Sequence, residues 1–412
     1  MHQQRDTVQR LELRSGSASV DQFEISIPDD ALADLRRRLE STRWSSEVAN
    51  DDWSYGTSGR YLRSLVDYWL TGYDWRAQEV AINRYAHYRT TIDEVPIHFV
   101  HERGKGPDPV PIVLTHGWPW TFWDWHQLIG PLTDPAAHGL DPAVSFDVIV
   151  PSLPGFAFSR PLTRTGMTPW AIADLWDTLL RERLGYNQYA AAGGDWGSFI
   201  TTELGSQHAD TVLGIYLSLP PVNKTGGLQA RTAADYAPEE AGWYERSTRK
   251  WQTTAVSHVS VQSDDPQTLA WALNDSPVGL AAWLLERRHH WCDGDFESVF
   301  SRDFLLTTVC LYWFTQSIGE SMRIYADTWP GGLRLPESRA TGVGTAARPD
   351  RVEVPTGIGV FPGELALLPR TVVEQVANVV FWSVHEAGGH FGPAEQPAAY
   401  TDDLRRFFGS LR

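Results

Sequence analysis

The period of hydrophobic and polar positions changes near residue 93 of the chain. Before this point, "FEISIPDDALADLRRRLE" has a short alternating strand, then Pro28 and Asp29 as a helix start, and "YLRSLVDYWL" repeats apolar residues at helical spacing. We therefore predict a polar leader over residues 1–20 and a helical arm over residues 21–92. Each such helix has only one apolar face, so the arm must pack on a larger body.

From Val95 onward, apolar runs bounded by Gly, Pro or a helical pattern predict buried strands. The runs are "VPIHFVHE", "VPIVLTHG", "FDVIVPSLPG", "YAAAGG", "EVPTGIGVF" and "VVFWSV". Strands of this kind that alternate with helices indicate a largely parallel sheet. The sequence thus predicts an α/β core in two parts, residues 93–220 and 346–412.

Helical patterns rich in Trp, Leu and Tyr occupy residues 221–345, between the two parts of the predicted core. An insertion at this point can cover the carboxyl ends of the strands, where such sheets bind ligands. We predict that it is a helical lid, with the Gly-rich stretch from Pro330 to Pro349 as its return connection.

Charge and cysteine content restrict the partners. The 412 residues include 35 Lys and Arg against 51 Asp and Glu, a formal charge of -16 that repels nucleic acid and anionic membranes. Cys292 and Cys310 are too few for a disulfide scaffold and lack metal-ligand spacing, so we expect buried packing residues. No apolar run is long enough for a signal sequence or a membrane span. We expect a soluble, cytoplasmic protein that uses no metal and no cofactor.

The segment "AAAGGDWGSF" has the spacing of a nucleophile elbow, a sharp turn between a strand and a helix, with Asp195 where a serine is usual. The small residues at 193, 194 and 197 suit such a turn because a Cβ would collide with the crossing backbone. An ordinary aspartate N-cap is the alternative, but a cap does not need glycines on both sides. The segment therefore favours a carboxylate nucleophile.

A histidine and an acid should follow the elbow in the chain. His390 lies in a loop directly after the strand "VVFWSV", and Glu364 follows the strand "GIGVF", so we predict that His390 is the base and Glu364 its acid partner. The competitors of Glu364 are Glu353, Asp350 and Glu386. Backbone N–H groups of Trp118, in "LTHGWPWTFW", and of Trp196 are predicted to form the oxyanion hole.

A carboxylate nucleophile attacks a saturated carbon and forms an alkyl-enzyme ester, so the substrate carries an sp³ electrophile. Epoxides and alkyl halides are the two candidates. They differ because the oxygen of an opening epoxide needs a proton donor, whereas a departing halide needs only N–H donors.

From about residue 23 to the C-terminus, the chain resembles the microsomal-type epoxide hydrolases. The segments that carry this resemblance are "YGTSGRYLRSLVDYWLTGYDWRAQE", "VPIHFVHERG", "LTHGWP", "GGDWGS", "LNDSPVGLAAWLLE", "SMRIYAD" and "GGHF". The resemblance implies an α/β-hydrolase fold with an N-terminal helical arm and a helical lid that presents two tyrosines to the epoxide oxygen. It carries the nucleophile to Asp195, the acid to Glu364, the base to His390 and one lid tyrosine to Tyr325. We expect no counterpart of the membrane anchor that the vertebrate members have.

Two positions depart from the family pattern. The lid segment "HVSVQSDDP" has His258 where the family has its second tyrosine, and "HGWPWT" has Trp120 where the family has a glycine. The first departure leaves the second proton donor open, with Trp251 and Gln252 as nearby N–H donors. The second predicts a reshaped pocket.

The leading hypothesis is a cofactor-independent epoxide hydrolase whose partners are a small-molecule epoxide and water. A haloalkane dehalogenase and a binding protein on the same scaffold are the alternatives. The aromatic content of 12% is compatible with a bulky, flat, apolar epoxide, a secondary metabolite being one option. The oligomeric state is left open, with a homodimer as one alternative.

Overall fold

The computed structural model describes residues 19–225, 231–329 and 351–411. Most of the predicted leader, the whole predicted return connection of the lid and Asp350 lie outside these ranges. Within them, no helix combines the length and the apolar character needed to cross a bilayer.

The N-terminal arm consists of strand β1 (Asp21–Phe23) and three helices, α1 (Asp29–Glu40), α2 (Gly59–Thr71) and α3 (Trp75–Ile82). The predicted alternating strand in "FEISI" is wrong beyond Phe23. The N–H of Ile25 donates to the side chain of Asn83, just after α3, and the N–H of Ile27 donates to Glu79 within α3. Neither N–H bonds a neighbouring strand. The two isoleucines are buried all the same, so their alternation reflects burial of the arm and not a sheet.

The described part of the chain contains one nine-stranded sheet in the order β1-β2-β3-β5-β4-β6-β7-β8-β9. Strands β1, β2 and β3 pair antiparallel up to β5, and all pairs from β5 to β9 are parallel. The predicted α/β architecture with a mostly parallel sheet is therefore confirmed. The strands after β1 are β2 (His87–Ile92), β3 (Val95–Glu102), β4 (Val110–Thr115), β5 (Phe146–Pro151), β6 (Tyr189–Gly193), β7 (Val212–Leu217), β8 (Val352–Val360) and β9 (Ala377–Val384).

Helices of the core connect these strands and cover the sheet. They are α4 (His126–Thr133), α5 (Pro169–Thr178), which continues into a π-helical turn (Leu179–Arg183), α6 (Trp196–Gln207), α15 (Arg370–Val376), α16 (Gly392–Glu395) and α17 (Pro397–Gly409). Short 3₁₀ turns occupy Phe122–Trp125 and Pro135–His138.

A run of helices separates β7 from β8, at the position of the predicted lid. They are α7 (Val222–Thr225), α8 (Trp243–Lys250), a π-helical turn (Trp251–Ala255), α9 (Ser257–Asp264), α10 (Pro266–Asp275), α11 (Pro277–Trp291), α12 (Phe296–Val299), α13 (Arg302–Thr315) and α14 (Ile318–Thr328), with 3₁₀ turns at Ala233–Asp235 and Pro238–Glu240. Helices α9, α10 and α14 pack on one another. We use the term lid for this helical run.

Candidate active site

Asp195 lies at the sharp turn between β6 and α6, with φ 52° and ψ −126°. A non-glycine residue rarely adopts such angles, and strain of this kind is typical of functional turns. The glycines on either side permit the turn: a Cβ on Gly197 would lie 1.9 Å from the carbonyl oxygen of Thr115, and one on Gly193 would lie 2.3 Å from that of Gly197. The crossing backbone thus fits only because these positions lack side chains.

The carboxylate of Asp195 does not cap its helix, although the residue occupies the N-cap position. Its Oδ1 instead accepts a hydrogen bond of 2.7 Å from the backbone N–H of Trp118. Gly117 makes this approach possible, because a Cβ there would lie 2.2 Å from the same oxygen. Trp196 is the first residue of α6, and the first N–H groups of a helix have no carbonyl partner within the helix. The two predicted oxyanion donors thus adjoin Asp195.

His390 lies between Asp195 and Glu364, the predicted nucleophile and the predicted acid. Its Nε2 lies 3.3 Å from Asp195 Oδ2, and its Nδ1 donates to Glu364 Oε1 at 2.6 Å. The loops after β8 and β9 meet in a bridge between Gly363 and Gly389, which brings Glu364 and His390 together. The structure therefore assembles Asp195, His390 and Glu364 at the carboxyl ends of parallel strands.

Charge controls the protonation of His390, which is fully buried. Burial lowers the pKa of the imidazole, but the carboxylates of Glu364 and Asp195 outweigh it and raise the pKa to about 9. An imidazolium between two carboxylates is the consequence in the resting protein at neutral pH. The competing acids are elsewhere: Glu353 and Glu386 are exposed.

Two lid residues form the roof of the site. Tyr325 on α14 and His258 on α9 are both buried, and the phenol oxygen lies 3.1 Å from His258 Nε2. Burial, with the charge of Asp195 adding to it, raises the pKa of Tyr325 well above its ordinary value. Burial also lowers the pKa of His258 well below its ordinary value, so this imidazole is neutral. The roof consequently presents a phenol and a neutral imidazole.

Aromatic rings line the space between the roof and Asp195. The indole of Trp118 stacks on His258 with 5.1 Å between ring centroids and an angle of 8°. Trp196 meets Tyr325 edge-on at 4.8 Å. The two residues whose backbones adjoin Asp195 therefore use their side chains to support the lid residues.

The other predicted substrate-binding residues have different positions. Trp120 is fully buried, and its ring lies 5.6 Å from that of His390. Trp251 is half-buried against the hydrophobic core, and Gln252 is exposed. In the described ranges, no hydrogen bond or ring contact joins Trp251 or Gln252 to Asp195 or Tyr325, so the structure does not bring this pair into the site.

Sequence reasoning missed two residues that shape the site. The ring of Trp291 lies 5.0 Å from both His258 and His390, and thus fills the space between roof and base. It ends α11, and nothing in the pattern there distinguishes it from a packing residue. His116 accepts from the N–H of Leu153 and donates to the carbonyl oxygen of Gly117, so it fixes the oxyanion loop. Its place at the start of "HGWP" was the available signal.

The described residues contain no group of three or more His, Cys, Asp or Glu side chains arranged to hold a metal ion. Cys292 and Cys310 are both buried.

An α/β sheet with a strained aspartate elbow, followed in the chain by an acid and a histidine, defines an α/β hydrolase with a carboxylate at the nucleophile position. Family models agree with this class: "Epoxide hydrolase N terminus" matches residues 20–125, and "alpha/beta hydrolase fold" matches residues 110–269.

Individual relatives identify the family to which this α/β hydrolase belongs. A relative from Stigmatella aurantiaca that carries the epoxide hydrolase name is 39% identical over 95% of this chain and 85% of its own length. Epoxide hydrolase 1 of Sus scrofa is 32% identical over 95% of this chain and 89% of its own length. The chain belongs to the epoxide hydrolase family, and it is an enzyme of the hydrolase class.

Solved structures show the same fold over nearly the whole chain. Juvenile hormone epoxide hydrolase from the silkworm Bombyx mori superposes with a TM-score of 0.85 and 28% identity, covering 96% of this chain and 95% of that one. The epoxide hydrolase of Aspergillus niger gives a TM-score of 0.81 and 28% identity, covering 97% and 98%. The predicted α/β-hydrolase fold is confirmed.

Proposed function

We propose that this epoxide hydrolase opens its substrate through a covalent ester on Asp195. Oδ2 attacks one ring carbon, the bond from that carbon to the ring oxygen breaks, and the electron pair stays on the departing oxygen. The observation that carries this proposal is the unequal setting of the two carboxylate oxygens. Oδ1 accepts the N–H of Trp118, whereas Oδ2 accepts no backbone N–H from the described residues and lies beside His390. One oxygen is thus held as a future carbonyl and the other is available for attack.

The departing oxygen receives its proton from Tyr325. His258 Nδ1 has no hydrogen-bond partner among the described residues, and an N–H there would be a buried donor without an acceptor. This favours the tautomer with its proton on Nε2, which donates to the phenol oxygen. The phenol proton is then free to point at the epoxide. In this arrangement His258 replaces the second tyrosine of the family by orienting the first.

Water completes the reaction. It attacks Cγ of the Asp195 ester while neutral His390 takes its proton and Glu364 stabilises the resulting imidazolium. The N–H groups of Trp118 and Trp196 stabilise the tetrahedral oxyanion, which collapses to the free carboxylate and the vicinal diol. Esterification itself prepares the base, because it removes the negative charge of Asp195 that helps to raise the pKa of His390. His390 therefore loses its proton more readily in the ester than in the resting enzyme, and the proton that it releases balances the one that solvent returns to the Tyr325 phenolate; collapse of the tetrahedral oxyanion then passes the proton of the added hydroxyl to the leaving alkyl oxygen and leaves His390 as the imidazolium.

The substrate we propose is a bulky, flat, apolar epoxide. Support comes from the aromatic rings around Asp195, which offer flat contact area and few polar groups: Trp118, Trp196, Trp291 and Tyr325. A chiral assay of aryl and alkyl epoxides of increasing size tests this, and we expect kcat/KM to rise with aromatic area. A preference for small alkyl epoxides would contradict it.

The covalent scheme has a direct isotope test. In a single turnover in ¹⁸O-water, the first diol should contain no label and the peptide that contains Asp195 should become heavier by one ¹⁸O, because water attacks Cγ of the ester. Asp195→Asn should give no diol with the fold retained, since an amide is a far weaker nucleophile. Label in the first-turnover diol would mean direct attack by water and would refute the scheme.

A further inference from the structure

Lys250 reaches from the lid into the loop that carries the catalytic acid. It is the last residue of α8, and its ammonium group donates a hydrogen bond to the carbonyl oxygen of Gly363, the residue before Glu364. Its side chain is half-buried, and burial lowers the pKa of the ammonium group, so charges and hydrogen bonds have to compensate for the lost hydration. An ammonium group at this position therefore needs a negatively charged group nearby.

Glu364 supplies such a partner. Its Oε1 accepts from His390 Nδ1 and from the N–H of Leu365, both at 2.6 Å. Its Oε2 is buried and has no hydrogen-bond partner in the described ranges. A buried carboxylate with one unpartnered oxygen is costly, and a nearby cation reduces that cost.

We propose that Lys250 is a positioning residue for the hydrolytic half of the reaction, because its ammonium group ties the lid to the turn at Gly363 and offsets the charge of Glu364. This inference rests on the proposed function, since it concerns the base that attacks the Asp195 ester. It adds a lid residue to the machinery of the core, and no motif in the sequence marks Lys250 for this role.

Other charged and titratable groups surround the same cluster. Four residues interact electrostatically with His390 or Glu364: Asp195 of the elbow, His258 and Lys250 of the lid, and Tyr400 of α17. Those that act on Lys250, apart from Glu364, are Glu395, Cys292, Asp293 and His290. Lys250 is the cation among them that bonds the acid loop directly.

The sign of the expected effect follows from this arrangement. Removing a positive charge beside Glu364 favours the imidazolium form of His390 and raises its pKa. Hydrolysis requires the neutral imidazole, so its rate should reach half of its maximum at a higher pH. Because Lys250 bonds the residue before Glu364, loss of its charge is expected to raise the pH of half-maximal hydrolysis by about one unit.

The test is the pH profile of ester hydrolysis in single-turnover experiments, with decay of the alkyl-enzyme followed by mass spectrometry after acid quench. Lys250→Gln removes the charge but keeps a donor for Gly363, and Lys250→Met removes both. We expect both variants to shift the profile upward by about one unit, and Lys250→Arg to restore it. Arg249→Met is the matched control, since it removes the same charge from the neighbouring, exposed position of α8 and should leave the profile unchanged.

A Lys250→Gln profile that coincides with the wild-type profile would overturn the inference, even if Lys250→Met fails to fold. A shift of equal size in Arg249→Met would overturn it as well, because the effect would then be a general one of net charge. If the wild-type enzyme forms no alkyl-enzyme at all, the proposed covalent function fails instead, and that outcome is recognised before any Lys250 variant is compared.

Discussion

Tyr325→Phe removes the phenol that we place above the epoxide oxygen. General acid catalysis of this kind contributes about 10² to 10⁴ in rate, or about 3 to 5 kcal/mol of transition-state stabilisation. The structure favours the lower half of this range, since His258 Nε2 lies 3.1 Å from the missing oxygen and can still offer an N–H to the nascent alkoxide. Burial holds the pKa of His258 well below its ordinary value, so the ring is a neutral imidazole. It can donate a hydrogen bond but does not replace the phenol as a proton donor. We therefore expect alkylation to slow by about 10² to 10³.

The assay should separate alkylation from hydrolysis. Trp196 lies edge-on to Tyr325 and next to Asp195, so the intrinsic fluorescence of the enzyme is expected to change when the ester forms. Stopped-flow fluorescence and rapid-quench mass spectrometry on the same mixture then give the alkylation rate. Tyr189→Phe is a matched control, because its buried phenol donates to Asp177, and within the described ranges no hydrogen bond joins that phenol to Asp195.

The substitution also affects stability. Loss of the phenol leaves His258 Nε2 without its partner, which costs about 1 to 3 kcal/mol of unfolding free energy. The thermal midpoint should fall modestly in both variants, whereas only Tyr325→Phe should lose alkylation rate. An alkylation rate within a factor of about three of wild type, with the fold retained, would refute the assignment of Tyr325 as the acid.

Three further predictions concern the base and the elbow. His390→Gln should slow hydrolysis far more than alkylation, so that an enzyme heavier by one substrate accumulates; absence of that adduct with a reactive epoxide would contradict the role of His390. In the wild-type enzyme, the rate of ester hydrolysis should rise with pH through a pKa below about 9. The value of about 9 belongs to His390 next to an ionised Asp195, and the ester removes that charge. A flat profile from pH 5 to 9 would be inconsistent with a histidine base. Gly117→Ala should reduce alkylation by about 10² or more, because the new methyl group would lie 2.2 Å from Asp195 Oδ1, whereas Gly409→Ala, whose nearest neighbour is at 3.3 Å, should not. Equal rates in the two alanine variants would argue against a precise placement of the carboxylate.

The elbow could be predicted from sequence because its chemistry is local. Gly193 and Gly197 each lie two positions from Asp195, so the small residues that the turn requires can be recognised directly in the sequence. The same holds for the order of the acid and the histidine after the elbow, which the fold dictates.

Features that depend on tertiary contacts were not predictable in this way. Strand β7 contains Gly214, where a Cβ would lie 2.8 Å from the side chain of Leu411 and 2.9 Å from the carbonyl oxygen of Pro355 on β8. Trp291 becomes a wall of the site only because α11 ends between two histidines that are distant in the chain. The absence of a strand at Ile25 and Ile27 likewise goes with hydrogen bonds to side chains that are distant in the chain, Asn83 after α3 and Glu79 within it.

Trp118 has two separate roles in the structure. Its backbone N–H holds the nucleophile, and its indole stacks flat on His258. A side-chain substitution at 118 would therefore keep the amide donor but alter the surface on which residue 258 rests. The family pattern combines the tryptophan of "LTHGWP" with a tyrosine at position 258, so the same indole has to support an imidazole in this chain and a phenol ring in that pattern. One core residue thus couples the placement of Asp195 to the aromatic ring that the lid presents.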